Sequence, residues 1–243
     1  MMKSNNLFIG IDDTDSATSK GTGHFSRCLG HQIEKAGLGQ IAGISRHQLL
    51  KDEGLNYTTN NNSTCVELVT NAETETIIKF MREFIRSHSA KDSAPGFCIS
   101  SAGSINQKVK DFGLKVKKKI VPIDVAFQLA SENDIHIEGI NKDSRGIIGA
   151  LAAIGLRATG DDGTMIWVKG HEINDMTGVF HAGEIYCNTR VDCIKTSEGF
   201  RIPVNATIEC IGITKPQLME NHVTIIVEEH PEKDICDWRV TEM

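Results

Sequence analysis

Apolar positions recur along this chain with a period of two or of three to four, and changes between these periods mark its elements. Residues 7–11 are an uninterrupted apolar run that ends abruptly in Asp12, Asp13 and Asp15, the pattern of a buried strand whose carboxyl end turns polar. After a loop rich in Ser, Thr and Gly, Phe25, Leu29, Ile33 and Ala36 recur at helical spacing, and Gly37 stands where the helix should stop. Strand-like runs at 40–44 and 65–69 flank the polar stretch 56–63. Ile77, Ile78, Met81, Phe84 and Ile85 form the apolar face of a second helix, and a polar connection with the turn Ala94-Pro95-Gly96 leads to a strand at 97–101. Pro122 suits the first turn of a helix carrying Val125, Ala126 and Leu129. Ser144 is the expected N-cap of a helix over 144–155, in which Gly146, Gly149 and Ala150 would let a neighbour come close. A strand follows at 165–168, and from about Gly178 short β-type runs dominate, clearest at 206–211 and 222–227. The pattern predicts an α/β or α+β protein, with a core over residues 1–170 and a β-rich extension over 171–243.

Composition places the chain among globular proteins: of 243 residues, 40% are apolar and 24% charged. No apolar stretch approaches the ~20 residues of a membrane helix, and the amino-terminal residues lack the pattern of a signal peptide. A cytoplasmic protein without membrane contact is expected. Lys and Arg total 26 against 32 Asp and Glu, a net charge of −6, whereas a dedicated nucleic-acid binder usually carries a basic excess. The local exception is Lys108, Lys110, Lys115, Lys117, Lys118 and Lys119, read as a solvated face unless its neighbours in space say otherwise. The seven cysteines include no C-x-x-C pair, which suggests reduced thiols rather than a zinc ribbon or a disulfide framework.

Candidate chemistry concentrates after the first strand. Asp12, Asp13 and Asp15 lie within four residues, so each must stay solvated or meet a cation. Mg²⁺ suits them, because it takes one or two carboxylates and completes its shell with water and substrate phosphate. A helix starting near Gly23 would add amide donors and a positive dipole end for that phosphate. An acidic turn capping a helix without any metal is the alternative. Gly21-Thr22-Gly23-His24 lacks the lysine of a Walker A loop. His24 could relay a phosphoryl group, although a helix start disfavours its cation. Ser144, Arg145 and Gly146, behind Lys142 and Asp143, could hold a second anion, with Arg145 as a bidentate donor. His47, His171, His181 and His222 show no ligand spacing and read as incidental.

Three segments carry a family resemblance: residues 9–16, the Pro95-Gly96 turn, and residues 145–155. In content, order and separation they resemble archaeal tRNA-isoleucine agmatinylcytidine synthetase over about residues 7–170. The resemblance implies a kinase-like α/β core with a ferredoxin-like lobe, and ATP and Mg²⁺ as cofactors. The reaction it implies is ATP-driven activation of an anticodon cytidine, followed by displacement of the activating phosphate by agmatine. It places metal and ATP phosphates on Asp12, Asp13 and Asp15 and the nucleotide near the 144–155 helix start. The three aspartates are the expected ligands or base for the acceptor hydroxyl, and Thr14, Ser16, Gly21, Thr22 and Gly23 the expected nucleotide-binding residues of the adjoining loop. The chain departs from that family in several places. It has no room for both an OB-fold and a zinc ribbon. His24 or Phe25 stands where the family has a phosphorylated threonine, with Thr22 one shift away. Thr58 and Asn60 replace a Lys and an Arg, while Tyr57, Thr59 and Asn62 fit. The expected function is therefore a Mg²⁺-dependent, ATP-binding enzyme of phosphoryl-transfer or ligase type, with an unidentified small-molecule acceptor. The alternatives are a tRNA cytidine-modifying enzyme that needs a partner chain, with tRNA disfavoured by the acidic charge and the missing RNA-binding domains, and a non-catalytic nucleotide-binding module. A homodimer is left open.

Overall fold

The computed structural model describes residues 5–52, 54, 60–141, 143–169, 171–172, 176–212, 215–232 and 234–241. Tyr57, Thr58, Thr59 and Lys142 lie outside them, as does the His171 side chain. In chain order the elements are β1 (Asn5–Asp12), α1 (Thr22–Lys35), β2 (Gln40–Gln48), β3 (Asn62–Thr70), α2 (Thr74–His88), β4 (Gly96–Ser101), α3 (Gln107–Val116), α4 (Ile123–Glu132), β5 (His136–Gly139), α5 (Gly146–Thr159), β6 (Thr164–Val168), β7 (His171–Glu172), β8 (Met176–His181), α6 (Ala182–Thr189), β9 (Cys193–Lys195), β10 (Thr207–Gly212), β11 (Gln217–Met219), β12 (His222–Glu229) and β13 (Trp238–Val240). Gly37, at φ +68°, ends the first helical segment where the pattern placed its stop.

The amino-terminal strands lie in the order β5-β4-β1-β3-β2-β6, and every neighbouring pair is antiparallel. Helices cover both faces, so the mixed α/β expectation is met with an antiparallel rather than a parallel sheet. Strand alternation assigns the faces. Leu7, Ile9 and Ile11 of β1 pack with Phe25, Leu29 and Ile33 of α1 and Ile77, Met81 and Ile85 of α2. Phe8 points the other way, into a second core with Val109 and Phe112 of α3, Ala126 and Ala130 of α4, and the buried face of α5. The same period of two puts Gly10 and Asp12 on the α5 side.

There α5 comes unusually close to the sheet. A Cβ added to Gly10 would overlap the Ala150 carbonyl oxygen, and one added to Gly96 would overlap the Ile147 amide. From the helix side, a Cβ on Gly149 would overlap the Asp12 carboxylate, and one on Gly146 would lie 2.6 Å from the Asp12 carbonyl oxygen. The small residues noted in the sequence are thus the contact surface itself.

The sheet continues through β6 to β11, β12, β13, β10 and β8. A third core joins Met165 and Val168 of β6 to Ile185 of α6, Ile194, Ile208 and Ile225. Trp167, between those two β6 residues, faces the first core instead. Two helices were not visible in the pattern. In α3 the lysines mask a buried stripe of Val109, Phe112, Gly113 and Val116, and in α6 the signal is a capping box of His181 with Glu184 inside an otherwise strand-like region. The described cysteines are all free, and five of the seven are buried. Among the described residues, no helix is long and apolar enough to cross a membrane.

Gly10→Ala should lower stability in urea denaturation by about 1–3 kcal/mol, because backbone bounds the new methyl and cannot swing away. Gly103→Ala, where an added Cβ meets nothing within 4 Å, should stay within about 0.5 kcal/mol of the parent. Equal, small effects at both positions would show that the α5–β1 contact is looser than described.

Candidate active site

Where β1 ends, Asp12 still pairs with Gly96 of β4, and the chain then turns through Asp13 at φ +53°. That left-handed turn is uncommon for a residue with a side chain and easiest for Asp and Asn. It redirects the acidic segment across the end of the sheet. Asp12, Asp13 and Asp15 line one cleft of about 190 Å³, together with Arg145, Gly146 and Gly149 of the α5 start, Asn60–Asn62 at the entry to β3, and Lys119–Val121 after α3.

The three carboxylates differ in their surroundings. Asp12 lies against Gly149, and burial pushes its pKa well above the ordinary value, opposed by the Asp13 amide and reinforced by the Asp13 and Asp15 charges. Asp13 is also raised, chiefly by burial, although the Arg145 guanidinium and the Ala94 amide pull it down. Asp15 accepts a 2.8 Å hydrogen bond from Thr22 Oγ1, and Thr14 Oγ1 donates to Thr22 Oγ1 at 3.2 Å. Buried Thr14 is therefore a strut between the acidic turn and α1 and lines neither cavity. Among the described residues, no three Asp, Glu, His or Cys side chains converge as a metal-holding group. The expected ligand trio is thus not assembled from protein alone. The cleft instead offers oxygen donors with a marked need for positive charge, which fits a hard cation that takes one or two carboxylates and finds its remaining ligands elsewhere.

The two helix starts serve different spaces. Ser144 is not an N-cap: it sits at φ +47°, and its hydroxyl donates to the Asn141 carbonyl. The first α5 amides are engaged as well, Gly146 N–H with the Ala94 carbonyl, Ile147 N–H with Ser144 and Ile148 N–H with Arg145. What this end gives the cleft is the Arg145 side chain, which pairs with Asp143 at 2.9 Å. The α1 start has no side-chain cap and opens on a neighbouring cavity of about 320 Å³ lined by Ser16, Gly21, Thr22, Gly23, His24, Arg27 and Arg46. Asp15, Asn60 and Asn62 line both spaces. His24, 3.4 Å from Cys28 Sγ, faces this second cavity rather than the one lined by Asp12 and Asp13.

Several residues gain roles that spacing did not show. Lys119 lines the acidic cleft, and Lys117 pairs with Asp162, so the lysine run is not simply a solvated face. His47 is not incidental. It is fully buried, with Nε2 2.7 Å from Ser45 Oγ and Nδ1 2.8 Å from Asp162 Oδ1. Burial lowers its pKa, so the neutral ring donates to Asp162 and accepts from Ser45. Burial pushes Asp162 up, but the His47 and Lys117 hydrogen bonds prevail and hold it below the ordinary value. Ser45 is fully buried too, which makes this chain a tie between β2, the end of α5 and the segment leading to Lys119. Arg27 and Arg46 had no sequence signal, since each became relevant only when α1 met β2.

Because the folded state holds the Asp12 proton more tightly than the unfolded state, the Asp12 carboxylate costs stability as pH rises from 3.8 through the folded pKa. Without divalent cations, Asp12→Asn should therefore unfold at a higher temperature than the parent at neutral pH. The difference should close as pH falls toward 3.8. A difference that does not change with pH would overturn this account of the cleft.

No family model matches the chain. It is 32% identical over 155 residues to an uncharacterized protein of Methanocaldococcus jannaschii, covering 63% of this chain and 51% of that one. It is 29% identical over 153 residues to the tRNA 2-agmatinylcytidine synthetase TiaS of Archaeoglobus fulgidus, covering 61% of this chain and 35% of the synthetase. Among solved structures, apo TiaS superposes with a TM-score of 0.55 at 25% identity, covering 62% of this chain and 35% of that one. The complex of TiaS with its tRNA, AMPCPP and agmatine gives 0.56 at 25% identity, covering 62% and 36%. The chain spans about half the length of the first of these relatives and about a third of the synthetases. Over some three-fifths of its length it resembles these synthetases in both sequence and fold, as the acidic motif and the small-residue helix indicated.

Proposed function

We propose that this chain is the ATP-dependent catalytic part of an enzyme that modifies a cytidine of tRNA, with residues 1–170 as its core and 171–243 as an extension. The observation that carries this reading is the cleft in which Asp12, Asp13 and Asp15 face Arg145 and Lys119. A triphosphate brings negative oxygens for the two cations, and with its metal it brings the positive charge that two buried carboxylates need. Mg²⁺, held by Asp12 and Asp13 beside the phosphates, would neutralise charge on the transferred group.

The residues of the chain supply position and electrostatics. Arg145 can present two parallel N–H groups to phosphate oxygens, and Lys119 a point charge from the segment after α3. The α1 start, with Arg27 and Arg46, lies next door for the far end of the triphosphate or the acceptor. Catalysis of this kind works by placing the reacting groups and offsetting their charge. Transfer of the phosphoryl group to the cytidine oxygen releases ADP, and an amine then displaces the activated oxygen as phosphate. A tRNA acceptor is supported over an unidentified small molecule, because the similar solved structures include a complex with tRNA, AMPCPP and agmatine. The overall −6 charge, which argued against RNA, carries less weight than that likeness.

Calorimetry with ATP should show binding that strengthens when Mg²⁺ is added. Asp13→Ala should remove several-fold or more of the Mg²⁺-dependent gain. Arg145→Ala should weaken binding about tenfold or more, the scale of a lost charge-assisted hydrogen bond. A folded protein that binds no nucleotide at millimolar concentration would end this reading.

A further inference from the structure

The candidate site does not stand alone on its side of the molecule. The cavity at the α1 start and a groove of about 450 Å³ between the ends of β2 and β11 share Arg46. That groove and a cup of about 230 Å³ in the extension share Met219. Asp15 lines both the acidic cleft and the α1 cavity, so each of the four spaces shares a lining residue with the next; the groove carries Asp161 and Asp162 beside Arg46 and Lys117.

The far cup brings two cations and an imidazole together. Lys195, Arg201, His222 and Thr224 line it, with Glu220 as its one lining carboxylate. Its shape comes from a tight reversal after β9. Gly199, at φ +92°, donates its N–H to the Thr196 carbonyl, and Thr196 N–H donates to Phe200. Lys195 and Arg201 are thereby set opposite one another across an antiparallel bridge. Parallel pairing of β12 with β9 matches Thr224 to Cys193 and brings His222 to the rim. Like charges placed directly opposite on a hairpin repel, and none of the ion pairs among the described residues includes Lys195 or Arg201. A protein with an acidic excess has nonetheless set two cations and an imidazole around one hollow. An anion seated between them would turn that repulsion into attraction.

We propose that Lys195, Arg201 and His222 form a phosphate-binding cup that grips the sugar–phosphate backbone of the RNA acceptor, away from the reacting base. This rests on the tRNA reading above. A free phosphate would account for the cup alone. A polynucleotide accounts also for the succession of neighbouring spaces, linked by Met219 and then Arg46, that leads from the cup toward the acidic cleft. Phosphate contacts of this kind fix the register of a nucleic acid on a protein without reading its sequence, which is what an enzyme that must present one base to a distant cleft requires.

The test is fluorescence anisotropy of labelled tRNA across a range of KCl concentrations, with the parent and the double variant Lys195→Gln, Arg201→Gln. Loss of two phosphate contacts should lower the magnitude of the log–log salt slope by about 1.4–1.8. The ATP isotherm should stay unchanged. If the double variant does not fold, Arg201→Gln alone, at an exposed position, should lower the slope by about 0.7–0.9. Equal tRNA affinity and slope in parent and variants would overturn the proposal. So would a parent that binds no tRNA at any salt, or one whose melting temperature rises with inorganic phosphate through the cup while tRNA binding ignores the substitutions. Failure of the ATP reading would appear separately, in calorimetry of the parent.

Discussion

The contact between α5 and the β1–β4 pair is the constraint on which the site depends. Gly10 and Gly96 on the sheet, and Gly146 and Gly149 on the helix, leave no space for a Cβ on either side. Backbone thus meets backbone where side chains usually intervene. Such an approach gives dense packing and a fixed separation, since neither partner has a rotamer to adjust. It also decides what surrounds the last residue of β1. Asp12 is pressed against the first turn of α5, and the Ala94 carbonyl takes the Gly146 amide, so the helix start is joined to the sheet before any ligand arrives.

That packing has an electrostatic cost. Two neighbouring carboxylates are held where burial raises both pKa values, with Arg145 as the charged group that pulls Asp13 back down. A core optimised for stability alone would not keep them. Sites that bind charged ligands do, because the unfavourable charge becomes binding energy when a cation arrives. Nearby polar groups follow the opposite logic. His47, Asp162, Lys117 and Ser45 satisfy one another, as buried polar groups must, and they hold the segment that carries Lys119 to the cleft.

Net charge is a weak guide to what a surface binds, because charge acts locally. At physiological ionic strength, interactions between exposed charges fade over about 8 Å. The groove and cup that contain Arg46, Lys195 and Arg201 therefore respond to their own lining charges, Asp161, Asp162 and Glu220 included, more than to carboxylates elsewhere on the surface. The −6 balance describes the whole surface, whereas recognition depends on the part that meets the ligand.

Local order and the acidic motif were legible in the amino-acid sequence. The strand at 7–11, the helices marked by Phe25–Ile33 and Ile77–Ile85, and the small-residue helix follow from periodicity, because each buries a face that its own spacing defines. Asp12, Asp13 and Asp15 stand out because three carboxylates so close together need an external cause. What spacing could not show is which groups meet. Lys119, Asn60 and Arg145 reach one cleft from three separate segments. His47 finds Asp162 across 115 positions of chain. Ser144 looked like a cap, yet its backbone lies at φ +47° against Gly139, and its hydroxyl donates to Asn141 instead. Helices α3 and α6 were hidden for a related reason: their stability comes from partners distant in sequence, and a periodicity diluted by lysines or embedded among strands carries no trace of those partners. Short-range pattern determines which face of an element must be buried. Only the closed fold decides what that face is buried against, and so which charges share a site.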